Sequence, residues 1–442
     1  MTKLFGEWPD AQRYAPWVWV PLLFAVAAPF PYGAMPLPER GVPLMWLLAA
    51  GGVALFGLIA RVSWPFAALL GWGLARVFIT GIWVEGPSTL QAGVVVMDAG
   101  RARPLQVLLV MALASLLYLA AREMTTRTAK IAAWALVAGV AYEFVFGYLN
   151  LWRIYPFMTF VLPEHVGRSM GFLTHPNFYG SFMALGLPVV WSLGGFLPAL
   201  AIFALLCASW SAGPVISAAV GIGLLLWPEL SRRVRYWLVG GLSAVTAVVM
   251  TVHEWRLSGR REVWEAAWSE LMRYPVIGQG LGAWRVWADH FNAKKAAATG
   301  TYEAFATLQA HNEPYQLWFE LGLLGLFFAA LWAVQAVAAS WIVWHESERP
   351  ATAWWKPGRV PLERAFVGVL TIGAVNMLGS PTFHLPAQAA FMIFALGRTQ
   401  AHAAAALRKL SEHVEHWRAP SPRMPKKRLL PTVTIKRTEI LT

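Results

Sequence analysis

Runs of about twenty apolar residues recur along most of this sequence, and no other feature constrains its fold as much. At about 1.5 Å of rise per residue, a helix of that length crosses the hydrocarbon core of a bilayer. The charge content agrees: Asp, Glu, Lys and Arg make up 13% of the 442 residues, where a soluble domain carries roughly 25%. That deficit leaves too few charges to cover a water-facing surface. The expected class is therefore all-α, a polytopic membrane protein. The 25 tryptophans suit it, since indole rings settle where lipid meets water.

Twelve spans are expected, near 16–33, 43–61, 63–83, 105–121, 129–151, 176–192, 195–210, 213–228, 234–252, 314–344, 363–379 and 383–398. Four basic groups sit in the connections: Arg122, Arg127 and Lys130; Arg232, Arg233 and Arg235; Lys356, Arg359 and Arg364; and Lys426, Lys427 and Arg428. With twelve spans, all four fall on the side of both termini, which the positive-inside rule makes cytoplasmic. Met1 to Pro16 is polar and of mixed charge, so the span that follows is expected to stay as an anchor rather than act as a cleaved signal.

The expected organisation is helices over 1–252, a periplasmic catalytic loop over 253–313, helices over 314–398 and a basic cytoplasmic tail over 399–442. Two notable segments then face outward, Arg153–His175 and His253–Asn312. Within the second, Glu262 to Tyr274 reads as an amphipathic helix with Val263, Ala266, Ala267 and Leu271 on its apolar face. The tail after about Arg418 reads as disordered. The net charge of +13 follows from basic loops and this tail. No recognition motif accompanies it, so no nucleic-acid partner is expected. The single cysteine, Cys207, excludes an intrachain disulfide and a cysteine-based metal site.

Chemistry concentrates at His311-Asn312-Glu313-Pro314, continuing to Gly325. Asn312 suits a helix N-cap and Pro314 a first turn. His311 thus stands at the mouth of the tenth span. Gln316 and Glu320, four apart, share a helix face. Gly322 and Gly325 permit close helix contact. The plainer alternative for His311 is an interfacial residue that only ends a helix. In the membrane segments, Arg76 reaches toward an anionic headgroup or pairs with Glu143, and the pair is the favoured reading because an isolated buried charge is costly.

The pattern H-N-x3-Q-x3-E-x-G-x2-G over 311–325 resembles the signature of the O-antigen ligase and O-antigen polymerase superfamily of membrane glycosyltransferases. Gly259-Arg260-x3-Trp264 resembles that family's G-R-x3-W element, and Pro275-x2-Gly278-x-Gly280-x-Gly282 its glycine-rich element. Arg168-x2-Gly171 with Pro176-Asn177 resembles its R-x2-G…P-N element. The resemblance covers about residues 165–390. One position departs: the family often has a Ser-Arg pair after its seventh span, and here Ser211 is followed by Ala212.

The resemblance implies an enzyme of the bacterial inner membrane with its site facing the periplasm. It would move a glycan from a polyprenyl-diphosphate carrier to an acceptor hydroxyl, with no metal and no cofactor. As an O-antigen ligase its acceptor is the lipid A core; in polymerases it is a glycan, and in protein O-oligosaccharyltransferases a protein. His311 is the candidate base, since an attacking alcohol needs a base of near-neutral pKa. Arg168 and Arg260 are candidate clamps for the leaving diphosphate, because guanidinium is a permanent, forked donor. Asn312 and Gln316 are expected at the substrate, with Arg76, Arg261, Glu320 and His384 around them. Plainer roles stand beside these. Arg168 could snorkel to headgroups, and Arg260 or Arg261 could pair with Glu262 or Glu265. The glycine-rich segment follows no strand, so it is no nucleotide fingerprint, and reads as a structural or diphosphate-adjacent turn. Two readings from other classes remain: a transporter with discontinuous helices, and a non-catalytic scaffold.

Overall fold

The computed structural model describes residues 121–152, 167–171, 175–252, 260–299, 310–346, 356–358, 360–379 and 386–418, with scattered residues between 68 and 118. Among the described residues every regular element is helical. In chain order they are α1 (Thr126–Leu151), α2 (Pro176–Gly194), α3 (Phe196–Cys207), α4 (Ala212–Leu226) and α5 (Arg232–Val252). Then come α6 (Arg260–Leu271), α7 (Ala283–Thr299), α8 (Glu313–Glu346), α9 (Leu362–Asn376) and α10 (Pro386–Arg418).

Three of the described helical stretches are long and apolar enough to cross a membrane: Thr126–Leu151, Ala212–Glu229 and Glu313–Glu346. They correspond to the fifth, eighth and tenth expected spans. The sixth, ninth, eleventh and twelfth form as helices α2, α5, α9 and α10, outside those three. The seventh, expected over 195–210, contracts to the twelve residues of α3, about 18 Å long and too short to span. The two sharp turns at Gly195 and at Ala208–Ser211 consume the rest. The spans near 16–33 and 43–61, most of those near 63–83 and 105–121, and the tail beyond Arg418 lie outside the described residues. Helix α10 runs twenty residues past the expected end of its span, from 398 to Arg418.

Helix α2 is the core. Pro176 opens it and the His175 side chain caps it, accepting from Asn177 N, which gives the Pro-Asn element a local purpose. Nearly all its side chains are buried, packed on α1, α3, α4, α9 and α10. Small residues let neighbours approach closely: a Cβ on Gly186 would stand 2.3 Å from Val140, and one on Gly221 2.3 Å from Ile372.

The helices present two distinct ends. At one, Ser217 of α4 donates to Asn376 of α9 at 3.1 Å, Glu313 N donates to Met377 O at 3.0 Å, and Gln388 of α10 donates to Phe178 O at 2.9 Å. At the other, Ser192 donates to Val360 O at 2.8 Å and His402 pairs with Glu346 at 2.9 Å. Arg398 donates there to Ala121 O and Met124 O. Arg127 and Lys130 at the start of α1, Arg232, Arg233 and Arg235 at the start of α5, and Arg364 near the start of α9 belong to this second end. His311 belongs to the first, so the basic groups and the histidine lie at opposite ends.

Candidate active site

The first turn of α8 is capped as its sequence requires: Asn312 Oδ1 accepts from Tyr315 N at 2.9 Å. Asn312 Nδ2 reaches Leu378 O at 3.4 Å, tying the cap to the end of α9. His311, immediately before it, adopts φ +53°, a left-handed conformation that is strained for a residue with a Cβ. The residue before it is fixed from both sides. Ala310 N donates to Gln316 Oε1 at 3.0 Å, and Ala310 O accepts from Trp264 Nε1 at 2.8 Å. Half-buried His311 is therefore held between two anchored neighbours.

Gln316 extends this scaffold. Its Nε2 donates to Glu320 Oε1 at 3.1 Å, and Glu320 Oε2 accepts from Gly282 N at 2.9 Å. Both side chains are buried, 3% and 4% exposed, so in this structure they join protein to protein. Gln316, expected at the substrate, braces the stretch between His311 and the glycine-rich loop: its amide oxygen accepts from Ala310 N and its amide nitrogen donates to Glu320.

Gly322, expected to mark a helix crossing, instead breaks α8 at φ +70°. The loop after α6 repairs the break. Gln279 N donates to Phe319 O at 2.8 Å and Gly280 N to Glu320 O at 2.9 Å. Leu323 N donates to Pro275 O at 2.9 Å and Leu324 N to Val276 O at 3.2 Å. Trp72 Nε1 takes Leu321 O at 2.8 Å. Five backbone groups around the kink are thereby satisfied, as a broken helix near a membrane requires. Arg76, 1% exposed, donates from Nη2 to Gly278 O at 2.7 Å; Glu143 lies buried against Gly171 and Tyr179.

Arg168 sits on the turn between α3 and α4. Its Nε donates to Ser209 O at 2.9 Å, and its Nη2 to Trp210 O at 3.1 Å and Ser211 Oγ at 3.5 Å. Partial burial pulls its pKa below the ordinary arginine value, and the group remains a cation at neutral pH. Trp210 at the apex has φ +54° and is 79% exposed. The guanidinium thus packs against the turn directly before Ala212.

Arg168 and His311 share one end of the helices, linked through Ser211, Ser217, Asn376, Met377 and Glu313 along α4 and α9. Arg260 and Arg261 are the first residues of α6, one turn before the Trp264 that bonds Ala310; their side chains lie outside the described residues, as does His384. The amphipathic reading of this helix holds, with Val263, Ala267 and Leu271 buried and Ala266 packed against the same cluster. The structure adds residues that sequence reasoning did not single out. Tyr315 OH donates to Trp264 O at 2.9 Å, completing a two-way clasp between α6 and α8. Trp72 satisfies the kink, and His290 of α7 has its pKa lowered by burial, with Lys294 adding to the effect. The Trp264 signal was present in the Gly-Arg-x3-Trp spacing; Trp72 carried none. Compared with known proteins, the chain matches no family model and no curated sequence.

Proposed function

We propose that this chain is a membrane glycosyltransferase of the O-antigen ligase type, working on the extracytoplasmic face of a bacterial inner membrane through a twelve-span scaffold. In the reaction, His311 takes the proton of an acceptor hydroxyl. The oxygen forms a bond to the anomeric carbon of a glycan held on a polyprenyl diphosphate. The bond from that carbon to the diphosphate oxygen breaks, and its electron pair leaves with the diphosphate. Arg168 and Arg260 are the guanidinium groups assigned to that growing charge.

One observation carries the reading: His311 is held at a positive φ by a network joining all three C-terminal motif elements. Such strain persists only where surrounding structure over-determines it, and it concentrates at functional sites. The separation of His311 from the basic end supports an outward-facing site under the positive-inside rule. Lipid A core, a growing glycan and a protein hydroxyl are three acceptors for the same step.

The break at Gly322 favours a second reading, because transporters bind ions at interrupted helices. Against it, the freed groups already bond the Pro275–Gly280 backbone and Trp72. Reconstitution in liposomes with a polyprenyl-diphosphate-linked glycan separates the two readings. Acceptor-dependent release of the carrier diphosphate, with the glycan recovered covalently on the acceptor, is the expected result. Solute flux without any lipid-linked donor, and no transfer, would replace the enzyme with a carrier.

A further inference from the structure

Between α6 and α7 the chain turns at an apolar tip. Met272, Tyr274, Val276 and Ile277 are exposed there, Val276 by 56%, although a tip of this composition facing water would lose the benefit of burial. It is continuous with a second exposed apolar surface. Leu323 and Leu324 of α8 donate to Pro275 O and Val276 O, and from Leu323 onward α8 exposes Phe327, Val334, Val337 and Trp341. These belong to one of the three membrane-length helices, so they form its lipid-facing strip. From Leu323 to Trp344 the helix rises about 33 Å, close to the thickness of a hydrocarbon core of about 30 Å. The kink at Gly322 then falls at the membrane boundary, and the tip falls beside it.

We propose that the tip of the α6–α7 hairpin is a membrane foot, seated in the headgroup–acyl boundary of the leaflet nearer His311. Tyr274 is amphipathic, as boundary residues are. Arg273, its side chain 65% exposed and its Nη1 3.0 Å from Glu270, places a cation at the level of lipid phosphates. The foot fixes the height of α6, and through the Trp264–Ala310 bond it fixes His311 within about 16 Å of the boundary, counted along α8. This follows from exposure and continuity alone and is independent of the reaction proposed above.

Spin labels in nanodiscs test it. With Cys207→Ser as a cysteine-free background, Val276→Cys, Tyr274→Cys and the exposed Lys294→Cys are labelled separately. Collision rates with oxygen and with a water-soluble nickel complex are then measured. Labels at 276 and 274 should show an oxygen-to-nickel ratio severalfold above that at 294. Nickel access at 276 and 274 equal to that at 294 would put the tip in water and overturn the proposal. Exclusion of both reagents would overturn it too, by showing the tip covered with protein, whether another segment or a second copy. The Tyr274 site decides the matter if a label at 276 prevents folding.

Discussion

Gly278 and Gly322 meet backbone to backbone: a Cβ on Gly278 would stand 2.5 Å from Gly322 N, and one on Gly322 would stand 2.1 Å from Val276 O and 2.6 Å from Gly278 N. Both have positive φ, +73° and +70°. Two segments more than forty residues apart are thus joined at a point that tolerates no side chain on either. The first prediction follows. Gly322→Ala and Gly278→Ala should each destabilise the protein by at least about 2 kcal/mol, from left-handed strain and a clash with backbone that cannot yield. Thermal unfolding of the purified protein checks this; midpoints equal to wild type would show that the kink is dispensable.

Trp264 should matter for both stability and turnover. Trp264→Phe keeps the ring packed near Tyr315 but removes the donor to Ala310 O, leaving a carbonyl in a buried residue without it, at a cost of about 1–3 kcal/mol. Because that carbonyl belongs to the residue before His311, transfer should fall by more than the loss of folded protein explains. Activity per folded molecule compared across the two proteins is the measurement.

Glu320→Gln should loosen the glycine-rich loop specifically. Both carboxylate oxygens accept, one from Gln316 Nε2 and one from Gly282 N, so an amide presents its own NH2 to one of those donors. A penalty of about 1–3 kcal/mol is expected. Hydrogen exchange over 278–282 should accelerate while the helices of the α2 core keep their protection.

These relationships mark how far the sequence could be read. The N-cap at Asn312, the shared face of Gln316 and Glu320, and the apolar face of α6 are local, and local periodicity and capping rules gave each of them. The break at Gly322 was not legible. A Gly-x2-Gly spacing in an apolar helix serves close packing as readily as a kink, and the choice was made by a partner loop forty residues upstream. The same limit applies to Arg168. Its place in the Arg-x2-Gly element was visible, but its embrace of the Ser209–Ser211 turn depends on how α3 and α4 meet. The span count strained most at α3, where apolar composition alone cannot reveal that sharp turns consume the ends of a span.

His290 makes stability pH-dependent. Burial, with Lys294 adding to it, holds its pKa below 6.5 in the folded protein, so the unfolded chain binds the proton more readily. Stability is therefore fully present above pH 6.5 and is lost as pH falls through the lowered folded pKa. His290→Gln should flatten the dependence of the unfolding midpoint over that acidic window. An unchanged slope would remove His290 from the account.

The most direct test concerns His311 itself. Wild type and His311→Ala are reconstituted in parallel with a polyprenyl-diphosphate-linked glycan and its acceptor, and matched for folded protein by their unfolding midpoints. The glycan joined covalently to the acceptor is then measured over time. Loss of a general base predicts a fall in turnover of about 10²- to 10⁴-fold. Transfer by His311→Ala at the wild-type rate would contradict the account and leave the imidazole as no more than the end of a helix.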